Sequence, residues 1–510
     1  MKQKRWVIIR KGWYLRSNQD GLELVGPEHN ISLEFANPGI YRKRIASILC
    51  GFQMIPQNQD NQGIVKMIEN LSMQGILQYQ NCRSQESSTV SKMEQIIWKL
   101  RNTFVGSRGP ISTVYRLDFN EPKLSASKSY LFAARYTPCG ETEKEWAGGA
   151  DEDSSVAELK AIMEALERWA SGVIPEEKIL KCSSQKLGAR ALNPEQGIAY
   201  AQWQYQQKGF PCTPFSTTRE YFWKEVTTFP GEKTYYLPVE CLYYPVARKF
   251  APAPYTFTNS SGVAAAFSFE EALTGGIYEA MERDAFMLTW LNGLERPRIR
   301  KTTLPGKEQR KIREFEKLGY TMHLVDLTID LAPVVLAIAV SHTQEPSLLL
   351  GAASHFNLLD AISKALREIE YQFYWRLRHA DYIRVIKNAK EVRSVLDHMA
   401  LYASQKHLAK AKFLWQGTET SYRETPFVSK KQALERLIEL LESSGKTLVI
   451  TDLTPPSLKK MGIWVVRSIP LGLIPVSFGY GMEPLGMSRI YEISGKRRNW
   501  IGKAFTHPFA

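Results

Sequence analysis

Apolar and polar positions follow two different periods along this chain, and the change of period divides it. Residues 6–15, 22–25 and 31–35 carry short apolar runs rich in β-branched and aromatic side chains. Those are strand patterns, with Asn18-Gln19-Asp20-Gly21 as one of the turns between them. Residues 41–50 and 63–73 change to a helical period. In the second of these, Ile64, Ile68 and Leu71 recur at i, i+4 and i+7, one apolar face of a helix. Residues 75–79 close the unit as a further strand or turn. Three strands followed by helices is the layout of a winged helix-turn-helix, assigned here to residues 1–82. Residues 83–125 are a linker segment containing an amphipathic helix at 90–104. From 126 to 510 helical and strand patterns alternate, with strands expected at 322–327, 334–340, 348–352, 448–452, 464–468 and 474–478. Residues 385–446 form a mainly helical excursion. The alternation implies an α/β (α+β) fold with substantial sheet.

Within this second region one pattern occurs twice. Glu164-Ala165-Leu166-Glu167-Arg168 and Glu279-Ala280-Met281-Glu282-Arg283 both lie in helix-favouring sequence dominated by Ala, Leu, Met and Ile. Glutamates at i and i+3 share one helix face, a turn apart. Carboxylates in such apolar surroundings are costly unless they are paired or bind a cation. Four carboxylates from two helices suit Mg²⁺, a hard ion that takes oxygen ligands and is usually completed by substrate phosphates. The adjacent arginines suit phosphate or a lock on the glutamates. An amphipathic helix with Glu–Arg pairs on its wet face is the alternative for either copy, and the repetition weighs against it. A small-residue loop precedes each copy, Ala147–Ala150 and Asn259–Gly262, where backbone N–H groups can approach phosphate. Neither a P-loop nor a dinucleotide-binding glycine pattern is present.

Composition narrows the function classes. With 510 residues the chain is long enough for two or three domains, and 44% hydrophobic content excludes a disordered protein. The longest apolar runs fall short of the roughly eighteen residues of a membrane span. The basic opening residues lack a cleavage site, which points to the cytoplasm. The cysteines show no CxxC spacing and no pairing with histidine, so neither a zinc site nor a disulfide framework is expected. A net charge of +14 favours anionic partners. Nucleic acid is disfavoured as one of them, because Lys66 is the only basic residue on the 63–73 helix that would have to enter a groove.

These motifs resemble the YcaO family. The segment AGGADEDSSVAELKAIMEALERWASG is similar to the first nucleotide-binding stretch of that family, and TNSSGVAAAFSFEEALTGGIYEAMERDAFMLTW to the second. NLLDAISKALREIEYQF resembles the third. DHMALYAS at 397–404, VVRSIPLGLIPVSFGYGMEPLGMSR at 465–489 and the final Thr506-His507-Pro508-Phe509-Ala510 resemble segments of the azoline-forming branch. The resemblance covers residues 126–510 and is more specific for the family than for the reaction. It implies ATP bound through Mg²⁺, with Glu164, Glu167, Glu279 and Glu282 as metal ligands. It also implies a nucleotide site containing Lys160, Asn259, Glu271, Arg283, Arg367 and Glu368, and a tail (His507, Pro508, Phe509 and Ala510) that orders the active site. The implied activity is ATP-dependent cyclodehydration of Cys, Ser or Thr in a ribosomally made precursor peptide to azolines. Thioamide and amidine formation, and a leader-binding scaffold with a degenerate nucleotide site, are the alternatives. The N-terminal unit resembles the recognition element that binds leader peptides, which would place a peptide strand along Ile31, Leu33 and Phe35 and against Ile64, Ile68 and Leu71. A separate azoline dehydrogenase or other biosynthetic partner, and a homodimer, are further expectations of the same resemblance.

Overall fold

The computed structural model describes five strands within residues 5–81, then residues 92–494 and 506–509 apart from 107–108, 118–128, 232 and 258. The chain divides into two compact units, Met1–Ile96 and Ile97–Ala510. In the first, β1 (Arg5–Ile9) pairs antiparallel with β5 (Leu77–Asn81), while β2 (Tyr14–Ser17), β3 (Leu22–Val25) and β4 (Asn30–Leu33) form an antiparallel meander. The single strand expected over residues 6–15 is therefore two strands in different sheets. The first ends at Ile9, just where Arg10-Lys11-Gly12 interrupts the apolar run. Both helices expected in this unit lie outside the described residues.

Helix α1 (Lys92–Phe104) runs across the division between the units, and in the second unit it is followed by a three-stranded meander of β6 (Ile111–Arg116), β7 (Tyr130–Tyr136) and β8 (Glu145–Asp151). Helix α2 (Ser154–Ala170) packs back on this sheet. Its N-terminus is fixed by Asp153, whose carboxylate accepts from the backbone N–H of Ser155 and Val156. Next come β9 (Ile179–Ser183), β10 (Glu220–Phe229), β11 (Thr234–Pro238) and β12 (Val263–Ala266). The long helix α3 (Phe269–Asn292) starts at a Ser268 cap and ends at Gly293, whose left-handed φ of 60° terminates it. Strand β13 (Arg298–Ile299), helix α4 (Gly306–Lys317) and strands β14 (Thr321–Asp326), β15 (Val334–Val340) and β16 (Leu348–Ser354) precede helix α5 (Leu358–Arg378), capped by Asn357. The excursion carries α6 (Val395–Leu401), β17 (Glu419–Thr420) and α7 (Lys430–Ser443). The chain then adds β18 (Leu448–Asp452), β19 (Trp464–Pro470) and α8 (Arg489–Ser494).

The strands assemble into three sheets in this unit: β6-β7-β8; β16-β15-β14-β13-β17; and β11-β10-β18-β19-β12 with β9 also on β10. Pairings are antiparallel throughout except β13 with β17. The fold is thus mixed helix and sheet. Strands β15 and β16 are buried at every position, as their unbroken apolar sequences require. The α3 C-terminal half, Leu288 and Leu291 among its residues, meets Leu336, Leu350 and Phe509 in one core. Leu366 and Ile369 of α5 meet Val335 and Leu349 in another.

Two expectations are corrected. Residues 474–478 are irregular and not a strand. Three of their backbone groups are taken by side chains, Ile474 N–H by Asp284, Val476 O by Asn259 and Ser477 O by His507, and are lost to any ladder. Ala147–Ala150 is not a loop but part of β8. Its glycines serve close packing. A Cβ on Gly149 would lie 2.0 Å from the Ala157 carbonyl oxygen of α2, and one on Gly148 2.1 Å from the Tyr371 ring of α5.

Candidate active site

Three strand–helix units repeat one contact. Glu164 on α2 accepts the Gly148 N–H of β8 at 2.9 Å. Glu279 on α3 accepts the Gly262 N–H at the entry to β12 at 3.0 Å. Glu368 on α5 accepts the Ala352 N–H of β16 at 3.0 Å. In each case a helix carboxylate takes a backbone donor from the strand just before it, leaving one oxygen for other duty.

Three positions on, the units reach across to one another. Glu167 accepts the Ala265 N–H of β12 at 3.1 Å, and Tyr371 donates its hydroxyl to the Ala147 carbonyl of β8 at 3.3 Å. Glu282 is set against Glu368 and Lys364 of α5, and its Oε1 is buried without a hydrogen-bond partner. The next position is Arg168, Arg283 and Gln372. Arg168 binds Glu164 and reaches Ser260 Oγ at 3.3 Å, Arg283 binds Glu279 at 3.3 Å, and Gln372 donates to the Leu350 carbonyl. Tyr371 and Gln372 thus occupy the places that Glu167–Arg168 and Glu282–Arg283 fill in the other two units.

The five carboxylates feel one another. Burial raises Glu167 well above the ordinary carboxylate range, and repulsion from Glu279 and Glu164 adds to it. Burial does the same to Glu282, where attraction to Arg283 is outweighed and Glu368 and Glu279 push further upward. Glu368 is pushed up to about 7, first by burial. Yet Glu368 is exposed, and the side chains of Glu164 and Glu279 are 34% and 26% exposed. The carboxylates therefore line a cleft that lies deep in the molecule but is open to water. Packed carboxylates of this kind hold excess negative potential that a cation relieves.

On the rim stand positive groups. Lys160 bonds Asp151 at 2.6 Å with its side chain 46% exposed, and Arg367 acts on Asp151 and Glu152. Lys364, one turn before Arg367, has its pKa lowered by burial and lies within electrostatic reach of Lys160, Arg367 and Glu282. Sequence reasoning missed Lys364 and Tyr371. Their spacing from Arg367 and Glu368 was visible, but their direction depends on how α5 lies against β8 and α3.

Asn259 is buried and holds its own loop, donating to Val476 O at 2.6 Å and accepting from Ser261 N–H at 2.8 Å. Glu271 stands apart, paired with Lys430 in the first turn of α3, about 12 Å along the helix from Glu279. The chain's last described residues run into the core. Tyr402 donates to the Thr506 carbonyl, and His398 Nδ1 to that of His507 at 2.7 Å, while His398 Nε2 accepts the Gly479 N–H. His507 Nε2 in turn donates to Ser477 O at 2.7 Å. Phe509 packs on Phe286 with centroids 4.4 Å apart, and the Arg283 guanidinium sits 4.6 Å over its ring. Three of the four expected tail residues are thus fixed next to the second acidic motif; Ala510 lies outside the described residues. Ile31 and Leu33 belong to β4, an edge of its sheet in the strand order, and Phe35, Ile64, Ile68 and Leu71 lie outside the described residues.

The donor set suits ATP with Mg²⁺. It offers hard carboxylate oxygens, a buried Glu282 oxygen that makes no hydrogen bond and has only a 3.6 Å ion pair with Arg283, and cations on the rim for phosphate. Among the described residues no three His, Cys, Asp or Glu side chains gather to hold an ion by themselves. Phosphate oxygens completing the coordination is the usual arrangement for Mg²⁺. No helix among the described residues is long and apolar enough to cross a membrane.

Comparison with known proteins agrees with this reading. The family described as YcaO cyclodehydratase, ATP- and Mg²⁺-binding, matches residues 148–473. An uncharacterized protein of Methanothermobacter thermautotrophicus is 25% identical over 222 residues, 42% of this chain and 53% of its own length, so the chain spans about half of that relative. A heterocyclase solved in complex with substrate and cofactor has 19% identity and a TM-score of 0.63, covering 75% of this chain and 52% of that one. YcaO from Methanopyrus kandleri, bound with AMPPCP and Mg²⁺, has 17% identity and a TM-score of 0.54 over 75% of this chain and 90% of its own. The heterocyclase TruD has 14% identity and a TM-score of 0.53 over 96% and 97%. At these identities the likeness is one of fold. The family match spans well over half of the chain and all three strand–helix units of the acidic cleft, and the protein accordingly belongs to the YcaO family of ATP- and Mg²⁺-binding enzymes.

Proposed function

We propose that this protein is an ATP-dependent peptide cyclodehydratase that converts Cys, Ser or Thr residues of a ribosomally made precursor peptide to azolines. The observation that carries the proposal is the placement of Phe509 against Arg283, which brings the chain's tail to the acidic cleft. ATP would supply a phosphoryl group that turns an amide oxygen into a good leaving group, with Mg²⁺ neutralising its charge. The substrate side chain attacks the carbonyl carbon of the preceding residue, and the resulting oxygen is phosphorylated. Phosphate then departs with that oxygen while the amide N–H proton is lost, so the peptide loses one water and ATP becomes ADP and phosphate.

In this reading Glu164, Glu167, Glu279, Glu282 and Glu368 would hold Mg²⁺, and Lys160, Lys364 and Arg367 would neutralise the phosphate chain. Arg283, fixed by Glu279 on one side and Phe509 on the other, would face the oxygen that gains charge. The N-terminal unit would take the leader as an added strand beside β4. The protein would act as a homodimer in the cytoplasm, with an azoline dehydrogenase as a later partner.

The test is mass spectrometry of the precursor peptide encoded beside the gene, incubated with the protein, ATP and Mg²⁺. Loss of one water per modified residue, dependent on ATP and leader, is the expected result. Exchange of oxygen for sulfur would replace azoline formation by thioamidation, and intact peptide with no phosphate release would overturn the enzyme reading.

A further inference from the structure

A pocket opens on the far side of the loop that carries Asn259. Its walls include Ile198, Leu237, Ile469, Leu471 and Leu473, and it opens to solvent. Ser261 and Arg283 line one end of it. The intervening loop touches both sides. Ser260 Oγ accepts from Arg168, Gly262 N–H donates to Glu279, and Ser261, between them, faces the pocket. The pocket and the acidic cleft are therefore neighbours that share Arg283. Arg283 Nη1 is buried without a hydrogen-bond partner, while Nε lies 3.6 Å from Glu282 Oε1 in an ion pair. A cation with an unused donor at the edge of a mainly apolar cavity is a place for an oxygen attached to an apolar group.

We infer that this pocket binds the side chain of the substrate residue whose carbonyl is activated, and that it selects for an aliphatic one. The inference rests on the cyclodehydratase reading above. In that reaction the oxygen to be phosphorylated must face the cleft. The side chain of the same residue is attached one carbon away. With the carbonyl oxygen at Arg283, an aliphatic side chain falls between Ile198, Ile469 and Leu471. Arg467, held by the Leu242 and Asn259 carbonyls, also lines the pocket, so a cationic side chain there would lose its hydration beside two arginines. The pocket thus favours Val, Ile or Leu immediately before the cyclised Cys, Ser or Thr.

The experiment uses the full chain with ATP, Mg²⁺ and a precursor peptide whose residue before its reactive Cys is photo-leucine. Illumination is followed by mass spectrometry of both cross-links and water loss. Cross-links to residues 194–198 or 467–475 are expected. In Ile469→Trp, which fills the cavity from a half-buried wall position, they should fall about tenfold, as should the ratio of turnover for Leu-flanked over Gly-flanked peptides. Cross-links in the pocket without water loss would keep the side-chain site and sink azoline formation. Water loss with cross-links elsewhere, or with an unchanged flanking preference in Ile469→Trp, would overturn the pocket and keep the enzyme. Neither cross-links nor water loss would overturn both.

Discussion

Two copies of Glu-x-x-Glu-Arg look alike in sequence, and the structure gives them different surroundings. In the first, Arg168 is occupied, with Glu164 on one side and Ser260 on the other, and Glu167 has its backbone donor from Ala265. In the second, Glu282 Oε1 and Arg283 Nε face each other at 3.6 Å, too far for a hydrogen bond, Arg283 Nη1 is buried with no hydrogen-bond partner, and Phe509 covers the guanidinium face. Buried polar atoms left unpaired are expensive, and in an enzyme they mark groups whose partner arrives with the substrate. The first copy joins the units to each other, and the second is poised toward what binds. A repeated motif can thus divide structural and chemical roles between its copies.

The largest effect should come from removing charge in both copies at once. Glu164→Gln with Glu282→Gln should lower ATP-dependent phosphate release by about 10³-fold or more. The sharper test is Glu282→Gln alone. If the 3.6 Å ion pair of Glu282 with Arg283 stabilised the fold, losing the charge would lower the melting temperature. Because burial and repulsion from Glu368 and Glu279 already disfavour its charge, the neutral isostere should melt at the wild-type temperature or above while losing activity.

The arginines should then separate. Arg283→Lys keeps a positive charge but removes the planar fork and the face that lies on Phe509, and should cost about a hundredfold in kcat/KM. Arg168→Lys should cost about tenfold or less in kcat/KM, because its guanidinium serves Glu164 and Ser260 and not a substrate group. Equal losses in the two variants would erase the distinction between the copies. A smaller effect isolates the tail. Phe509→Leu preserves most of the contact with Phe286 and deletes only the ring face under Arg283. A partly desolvated cation–π contact is worth about 1–2 kcal/mol, so kcat should fall roughly fivefold to thirtyfold with little change in KM for ATP.

How far the sequence foretold this depends on the range of the signal. The glutamates of α2 and α3 were legible because an i, i+3 pair in an apolar helix is a local pattern. The third unit was legible as Arg367, Glu368 and Gln372. That Tyr371 stands for the second glutamate, and Gln372 for the arginine, depends on α5 packing against β8, where Gly148 makes room for the Tyr371 ring. Residues 147–150 read as a loop because glycine pairs mark turns more often than strands, and the helix backbone that needs those glycines is not visible from their neighbourhood. Residues 474–478 read as a strand because their apolar run has the right length, but Asp284, Asn259 and His507, each far away in sequence, engage its backbone. The segment 397–404 stood out without a role, and the structure supplies one, since His398 and Tyr402 hold the carbonyls of His507 and Thr506.

That clamp depends on Asp397, and here the expected effect is the smallest and the most sensitive to pH. Asp397 caps α6. Its carboxylate accepts Arg384 Nε at 2.6 Å and Nη2 at 2.7 Å, together with the backbone N–H of Arg393 and Ser394. Burial would raise its pKa, but the Arg384 bonds and the backbone donors outweigh burial and hold it at about 2. A carboxylate depressed in the folded protein contributes stability above its unfolded pKa, near 4, and loses it as pH falls toward 2. Asp397→Asn should therefore lower the stability of the second unit by about 1 kcal/mol at pH 7, a figure kept modest because Arg384 is exposed. The gap between wild type and variant should narrow below pH 4, where wild-type Asp397 itself takes up a proton. Following both proteins by denaturant unfolding at pH 7 and pH 3 checks the sign. A gap that widened at pH 3 would mean that Asp397 is not the group whose charge fixes α6. If the tail is held through α6, the same variant at pH 7 should also lower peptide turnover about twofold to threefold, and Phe509→Leu should make that loss non-additive, because both changes loosen one clamp on Arg283.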